Sequence, residues 1–344
     1  MLPARTNPNH ASLLTGAHPD GHGIVDNKYW NAARGRLDAM DEPGQLEMES
    51  IFTMLALERP ELRTAAFFAK GKLRRLFSGV GGRQRAPTLL WEPHPGFLKD
   101  GRVMAALGQF VVAKAPHFSV TTIADVDRMS HAHGPGARQV QDTIARVDVL
   151  IAGFVEQLRE TDTWTRTVVI VTADHGFAGV APERAVNLIR TGTGPRRRYV
   201  AEGMAAFVHL DDAAAANVNQ VARDEERRDG VARVVRNLEE YHVAHPRAGQ
   251  LLLLSAPGRA LVQGPEDMAR LMIGNHGGIA EQRVPMIILG GHVDLRPLAS
   301  EVASLVDVVP TVAAIFNVRV PRRLDGRALP PGSAGRALPL LTGQ

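Results

Sequence analysis

The fold of this chain is decided by the stretch Thr167-Val-Val-Ile-Val-Thr-Ala-Asp-His-Gly176. Its first six residues are β-branched and show no alternation of apolar and polar side chains, a pattern typical of a strand buried on both faces of a sheet. The polar residues that follow would lie at the carboxyl end of that strand, where open α/β sheets bind their ligands. The stretch therefore predicts a parallel sheet and a functional site at its edge.

Strand-like and helical patterns alternate on both sides of this stretch. Gly136–Glu160 predicts an amphipathic helix, Phe118–Val126 the strand before it, and Asp307–Phe316 a helix with Pro310 in its first turn. The alternation predicts an α/β fold with a mostly parallel central sheet and helices on both faces. The apolar stripe of the long helix consists of Val140, Ile144, Val147, Ile151, Phe154 and Leu158. Further strands are predicted at Thr64–Ala69, Thr88–Trp91, Ala205–Leu210, Leu251–Leu254 and Met286–Leu289.

The segment of about 178–273 lies between two of the polar clusters described below. It contains strand and helix candidates of its own, and no internal repeat is visible along the chain. We interpret it as a smaller lobe inserted in a single domain that spans residues 1–344.

Composition excludes several classes of protein. The 344 residues include 40 Lys and Arg against 36 Asp and Glu, and the two signs interleave, so no nucleic-acid-binding arm is expected. The absence of cysteine excludes disulfides, thiolate metal sites and a cysteine nucleophile. No apolar run approaches the roughly 18 residues of a membrane span, and Met1–His10 lacks a signal-peptide pattern. A cytoplasmic location is expected for the chain as given, and an extracytoplasmic one if an upstream signal peptide has been lost.

Three polar clusters follow predicted strands or lie in loops beside them. Asp127 and His131 come after the first strand, Asp174 and His175 after the second, and His276 lies in a glycine-rich loop. Each cluster alone is more typical of a turn or a helix cap. Together they supply carboxylate and imidazole ligands, which zinc accepts where thiolates are absent, in a number that suits two adjacent metal ions.

A short helix is predicted near the start of the chain, with Thr6 or Asn7 as its N-cap, Pro8 in its first turn and Gly16 at its C-terminal end. Thr6 has two interpretations. It is either a simple cap or a hydroxyl nucleophile at a helix N-terminus, where the helix dipole favours an alkoxide and an anionic substrate. The sequence pattern alone leaves both open.

In this order, the pieces resemble the alkaline phosphatase superfamily, in its nucleotide pyrophosphatase/phosphodiesterase branch. The resemblance spans nearly the whole chain and rests on a combination of short motifs. These are Thr6-Asn-Pro-Asn-His10, Thr15-Gly16, Pro19, His22-Gly-Ile-Val-Asp-Asn27, Asp127, His131, Gly134-Pro135, Ala173-Asp-His-Gly176, Asn275-His-Gly277, Ser304-Leu-Val-Asp-Val-Val-Pro-Thr311 and Asp325-Gly326.

The resemblance implies a threonine nucleophile and a site for two zinc ions, although other divalent cations would also suit these ligands. Carried over by position, Thr6 would attack phosphorus and bind one zinc together with Asp174 and His175. Asn27 would donate to a non-bridging phosphate oxygen. The second zinc would be held by Asp127, His131 and His276.

One ligand of the family pattern has no counterpart. The family's first zinc has a further aspartate, on a central strand upstream of the nucleophile, whereas only five residues precede Thr6 here. We therefore expect the natural chain to begin upstream of Met1 and to include that first strand.

The expected function is metal-dependent hydrolysis of a phosphodiester or nucleotide pyrophosphate bond in a small phosphate-ester substrate such as a nucleotide. A phosphomonoesterase or phosphonate hydrolase using the same site is one alternative. A second alternative is an impaired pseudoenzyme that lacks one metal-ligand aspartate. The sequence leaves the oligomeric state open.

Overall fold

A computed structural model describes residues 1–79, 84–91, 99–189, 197–211, 217–290, 293–294, 303–319 and 341–342. The helices are α1 (Thr6–Thr15), α2 (Pro19–His22), α3 (Ile51–Glu58), α4 (Gly71–Leu76), α5 (Asp100–Lys114), α6 (Asp125–His133), α7 (Arg138–Arg159), α8 (Val218–Glu226), α9 (Pro265–Ala269) and α10 (Val308–Ile315). The strands are β1 (Lys28–Asn31), β2 (Arg36–Ala39), β3 (Thr64–Phe68), β4 (Leu89–Leu90), β5 (Phe118–Thr122), β6 (Val168–Thr172), β7 (Ala178–Gly179), β8 (Val186–Asn187), β9 (Arg197–Glu202), β10 (Ala205–Leu210), β11 (Val231–Val235), β12 (Leu251–Ser255), β13 (Leu261–Val262), β14 (Gly274–Asn275), β15 (Met286–Gly290), β16 (Val293–Asp294) and β17 (Leu341–Thr342).

The predicted α/β class is confirmed. A parallel three-stranded sheet, in the order β4-β3-β5, has helices packed on it, and β3 is buried along its whole length. Strand β6 pairs antiparallel with β15, and within the described residues no partner lies on its other edge. The segment Ser304–Thr311, which resembles the family's closing segment, forms a 3-10 turn and the first half of α10, and α10 packs against α1. Asp325-Gly326 lies outside the described residues.

One expectation about burial is wrong. Strand β6 is only partly buried, because β15 covers one edge alone. On α7, which packs on α5 and α6, the stripe is buried at Val140 and Leu158, and the side chain of Ile144 is 51% exposed.

Two expectations about the limits of elements are also wrong. The strand predicted to run through Val126 ends at Thr122, and Asp127 and His131 lie on α6 instead. The cap of α1 is Arg5, so Thr6 is its first helical residue; Gly16 does end the helix, in a left-handed conformation. A distant residue explains the first error. The carboxylate of Asp100 accepts hydrogen bonds from the N–H groups of Ala124 and Asp125 and so caps α6.

The described part of the segment 178–273 contains a four-stranded antiparallel sheet in the order β11-β12-β10-β9, with α8 packed on it. One face has its own apolar core, but Phe207 and Leu252 belong to the same core as Leu14 and Phe52 of the main part. A smaller lobe within one domain remains our interpretation of this arrangement. In the described part of the chain, no helix combines the length and apolar character needed to cross a bilayer.

Candidate active site

Thr6 lies at the N-terminus of α1 and is buried. Its Oγ1 accepts a hydrogen bond from Lys70 Nζ at 3.3 Å. The positive end of the helix dipole and the ammonium group both favour negative charge on this oxygen. The position therefore suits a hydroxyl that becomes an alkoxide.

Asp127 and His131 are one helical turn apart on α6, so both side chains lie on one face. His131 Nδ1 lies 2.9 Å from the carbonyl oxygen of Gly274 and must donate to it. His131 Nε2, which lies 3.9 Å from Asp127 Oδ1, is thereby left with a free lone pair. The predicted convergence of this pair is present, and helical spacing produces it.

Asp174 and His175 follow β6. Asn9 donates to the Asp174 carbonyl at 2.5 Å, which joins this turn to α1. His175 Nδ1 lies 3.1 Å from the Gly176 carbonyl, and His175 Nε2 lies 3.4 Å from Asp174 Oδ2 and 3.8 Å from Asp127 Oδ1. The second cluster thus meets the first at the carboxylate of Asp127.

His276 completes the group. Its Nδ1 donates to the Ala4 carbonyl at 2.8 Å, and its ring stacks on His175 with centroids 3.7 Å apart. Gly274 makes this approach feasible, because a Cβ there would lie 1.7 Å from the carbonyl oxygen of Ser130 on α6. The glycine before this histidine therefore lets the loop place His276 at a crowded position.

The cluster fits a divalent cation. One ligand atom each from Asp127, His175 and His276 lie within 4.8 Å of one another. Asp127 Oδ1 and His175 Nε2 are buried without a hydrogen-bond partner, which is costly unless something binds them. This compact triad draws on both of the ligand sets implied by the resemblance, and it contains oxygen and nitrogen donors that suit zinc.

Protonation states favour metal binding. Burial lowers the pKa of His276 and of His175, so both imidazoles are neutral near pH 7. Burial acts to raise the pKa of Asp174, but the imidazoles of His175 and His10 outweigh it and hold that pKa well below its usual range. Neutral imidazoles and ionised carboxylates are the forms that ligate metals.

Asn27 lies beside the start of α1 and contacts the residue that follows Thr6. Its Oδ1 accepts from the Asn7 backbone N–H at 3.0 Å and from Lys72 Nζ at 3.2 Å. These two donors fix the orientation of the amide, so its Nδ2 faces Glu202. The amide can therefore present a donor to an oxygen bound near Thr6.

Lys70 and Lys72 belong to the site, although sequence reasoning missed them. They follow β3 in the run Phe67-Phe-Ala-Lys-Gly-Lys72, so the strand-end criterion used for the other clusters would have found them. Lys70 Nζ also lies 2.9 Å from Asp127 Oδ2. Burial, followed by the charge of Lys70, lowers the pKa of Lys72 to about 8.

A buried charge network supports the residue before Thr6. The guanidinium of Arg5 is fully buried; its Nε lies 3.3 Å from Asp26 Oδ1 and its Nη1 lies 3.1 Å from Glu202 Oε2. Its Nη2 donates to the Ala205 carbonyl at 2.7 Å. Burial raises the pKa of Asp26 to about 7, although the charge of Arg5 acts in the opposite direction.

Phe177 packs against the three imidazoles. Its ring centroid lies 4.8 Å from that of His131, 5.4 Å from that of His175 and 5.2 Å from that of His276, in edge-on geometries. The phenyl ring thus covers one side of the cluster with apolar surface.

The chain is similar to proteins of one family. The family described as type I phosphodiesterase/nucleotide pyrophosphatase matches residues 1–279. Human ectonucleotide pyrophosphatase/phosphodiesterase family member 5 is 20% identical over 331 residues, which are 91% of this chain and 66% of that protein. Mouse family member 1 is 25% identical over 182 residues, which are 52% of this chain. The matched part is only 19% of that protein, so the chain corresponds to about a fifth of it.

Solved structures show the same fold. Human ectonucleotide pyrophosphatase/phosphodiesterase 5 has a TM-score of 0.75 at 19% identity, covering 93% of this chain and 85% of that one. An inactive threonine-to-alanine variant of the murine protein in complex with AMP has a TM-score of 0.76 at 18% identity, with the same coverage. Phosphonoacetate hydrolase from Sinorhizobium meliloti in complex with phosphonoformate has a TM-score of 0.67 at 20% identity and covers 92% and 85%. These likenesses confirm the alkaline-phosphatase-like fold.

Proposed function

The chain belongs to the type I phosphodiesterase/nucleotide pyrophosphatase family, and on that premise we propose that it hydrolyses phosphodiester or nucleotide pyrophosphate bonds with Thr6 as nucleophile. The observation that carries the proposal is the proximity of Thr6 to the ligand cluster. Lys70 Nζ contacts both Thr6 Oγ1 and the carboxylate of Asp127, which belongs to the triad of ligand atoms within 4.8 Å of one another.

The proposed ligands would hold two divalent cations, with zinc as the preferred metal. Thr6, Asp174 and His175 would hold one, as the resemblance implies, and Asp127, His131 and His276 would hold the other. Cations at these ligands would supply Lewis-acid stabilisation for the attacking hydroxyl and for the leaving oxygen.

In the first step, the Thr6 hydroxyl oxygen bonds to phosphorus as the bond between phosphorus and the leaving oxygen breaks. The hydroxyl proton leaves to solvent, and the ammonium of Lys70 and the N-terminus of α1 stabilise the negative charge on Thr6 Oγ1. Asn27 Nδ2 donates to a non-bridging oxygen. In the second step, water hydrolyses the phosphothreonine and restores the hydroxyl.

A nucleotide is the substrate we propose first, since murine ectonucleotide pyrophosphatase/phosphodiesterase 5 has been solved in complex with AMP. A second candidate follows from the two lysines. Phosphomonoesters and phosphonates carry more negative charge than diesters, and Lys70 and Lys72 supply cationic partners beside Thr6 and Asn27. The phosphonoacetate hydrolase of similar fold binds phosphonoformate, a small dianionic or trianionic ligand of this kind.

The test is hydrolysis of bis-p-nitrophenyl phosphate and p-nitrophenyl phosphate by the full chain, together with metal analysis. Thr6→Ala should abolish turnover while the protein still binds metal. Thr15→Ala is the matched control, because that hydroxyl bonds to the backbone of its own helix and its loss should leave turnover intact. A faster rate on the monoester would select the second candidate. Turnover by Thr6→Ala would refute the nucleophile, and a chain with bound metal but no turnover would be the impaired pseudoenzyme.

A further inference from the structure

Glu202 reaches the candidate site from the four-stranded sheet. It is the last residue of β9, and both of its carboxylate oxygens accept from Asn27 Nδ2, at 3.1 and 3.2 Å. No polar cluster or strand-end motif in the sequence predicts this contact, because 175 residues separate the two side chains.

Glu202 also helps to fix the orientation of the Asn27 amide. Asn7 and Lys72 hold Oδ1 on one side, and Glu202 holds Nδ2 on the other. An amide nitrogen has two hydrogens; when the two carboxylate oxygens of Glu202 share one of them, the second remains for a phosphate oxygen. Without Glu202, Asn27 Nδ2 would lose the hydrogen bond that fixes its orientation.

The carboxylate is itself held in place and ionised. Arg5 Nη1 lies 3.1 Å from Glu202 Oε2, and Arg5 is anchored to Ala205 on the next strand. Burial opposes ionisation, but the charges of Arg5 and Lys72 and the hydrogen bond from Asn27 lower the pKa of Glu202 overall. Its side chain is 43% exposed, so it borders the open side of the site.

A carboxylate beside a phosphate subsite repels an anion, and it can favour phosphate binding only if its effect through another group outweighs that repulsion. Two roles therefore make opposite predictions. If Glu202 acts by its charge alone, its removal should strengthen phosphate binding. If Glu202 acts through Asn27, the removal of Glu202 should weaken phosphate binding.

We propose that Glu202 is a positioning residue that orients the Asn27 amide toward a non-bridging oxygen of the substrate. Through this contact, the inserted sheet contributes to phosphate binding. The inference rests on the proposed function, since it assigns Asn27 to the phosphate.

The test measures binding of inorganic phosphate by calorimetry on the full chain in zinc-containing buffer, with steady-state turnover as a separate readout. Glu202→Ala should weaken phosphate binding about tenfold, the effect of losing one charge-assisted hydrogen bond. Glu202→Gln, which keeps an acceptor oxygen, should stay within about threefold of wild type. In an Asn27→Ala background, Glu202→Ala should have no further effect. Glu183→Ala, at an exposed glutamate of the same segment, is the control and should bind as wild type.

Unchanged or tighter phosphate binding in Glu202→Ala overturns the inference, as does a full additional loss in the Asn27→Ala background. The predicted binding pattern in a protein that turns over no ester supports the positioning role and refutes the proposed function. The two failures are therefore distinguishable.

Discussion

Replacing Arg5 by methionine should destabilise the protein, and by more at alkaline than at acidic pH. Arg5 and Asp26 are both almost completely buried and lie 3.3 Å apart, so the substitution leaves a buried carboxylate without its counter-charge. At a pH at which Asp26 is ionised, breaking a buried pair in this way costs about 3–5 kcal/mol of the free energy of unfolding. Glu202, the other partner of Arg5, is 43% exposed and can be solvated instead.

The pH dependence follows from Asp26. Burial raises its pKa to about 7, against about 3.9 in an unfolded chain. Because the folded pKa is the higher one, the wild-type free energy of unfolding falls as pH rises through this interval and then levels off. Arg5→Met raises the pKa further, so the fall should continue above pH 7. From about pH 7 to about pH 8.5 the variant should lose a further ~2 kcal/mol relative to wild type.

Urea unfolding followed by circular dichroism at about pH 6 and about pH 8.5 measures both effects. The double variant Arg5→Met/Asp26→Asn removes the carboxylate charge and should recover most of the loss at the higher pH. An equal cost of Arg5→Met at both pH values would refute this reasoning. So would a double variant no more stable than the single one.

Three further predictions concern other parts of the site and its support. Lys70→Met and Lys72→Met should each lower kcat/KM for p-nitrophenyl phosphate about tenfold more than for the diester, because each removes a cation beside the phosphate; equal losses on both substrates would contradict this. Burial, followed by the charge of His18, lowers the pKa of His22 to about 3, so the unfolded chain takes up a proton below about pH 6.5 that the folded chain excludes. Between about pH 6.5 and 5, wild type should therefore lose about 2 kcal/mol more than His22→Gln in urea unfolding, and parallel losses would contradict it. Gly274→Ala should destabilise the fold by about 1–3 kcal/mol and weaken zinc binding measured by chelator competition. The control Gly136→Ala, where a Cβ meets nothing within 4 Å, should change neither.

The sequence predicted the strands better than the surroundings of the site. β10 has the predicted limits, and β3, β12 and β15 agree within one residue, because their apolar runs are short and end in polar or turn residues. The start of α6 was missed because its cap, Asp100, comes from another helix. A local sequence pattern cannot predict a capping residue that comes from another helix.

The same distinction applies to the site residues. Asp127, Asp174 and His276 could be proposed from the sequence because they belong to short local motifs after predicted strands or in a loop rich in glycine. Glu202 has no such motif, because the packing of β9 against β1, which begins at the residue after Asn27, brings it to that amide. Site residues that are distant in the sequence from the rest of the site are identified from the structure.

The position of Asp127 and His131 on one helix has a consequence for how such chains can vary in length. One residue inserted between them would turn the histidine about 100° around the helix axis and away from the aspartate. The number of residues between Asp174-His175 and His276 is not constrained in this way. The two ends of the intervening segment are anchored separately, one by β6 and the other by the close approach of Gly274 to Ser130. Insertions and deletions should therefore accumulate in the 178–273 segment, while the interval of four within α6 stays fixed. A survey of natural sequences should show a constant spacing there beside a widely variable one.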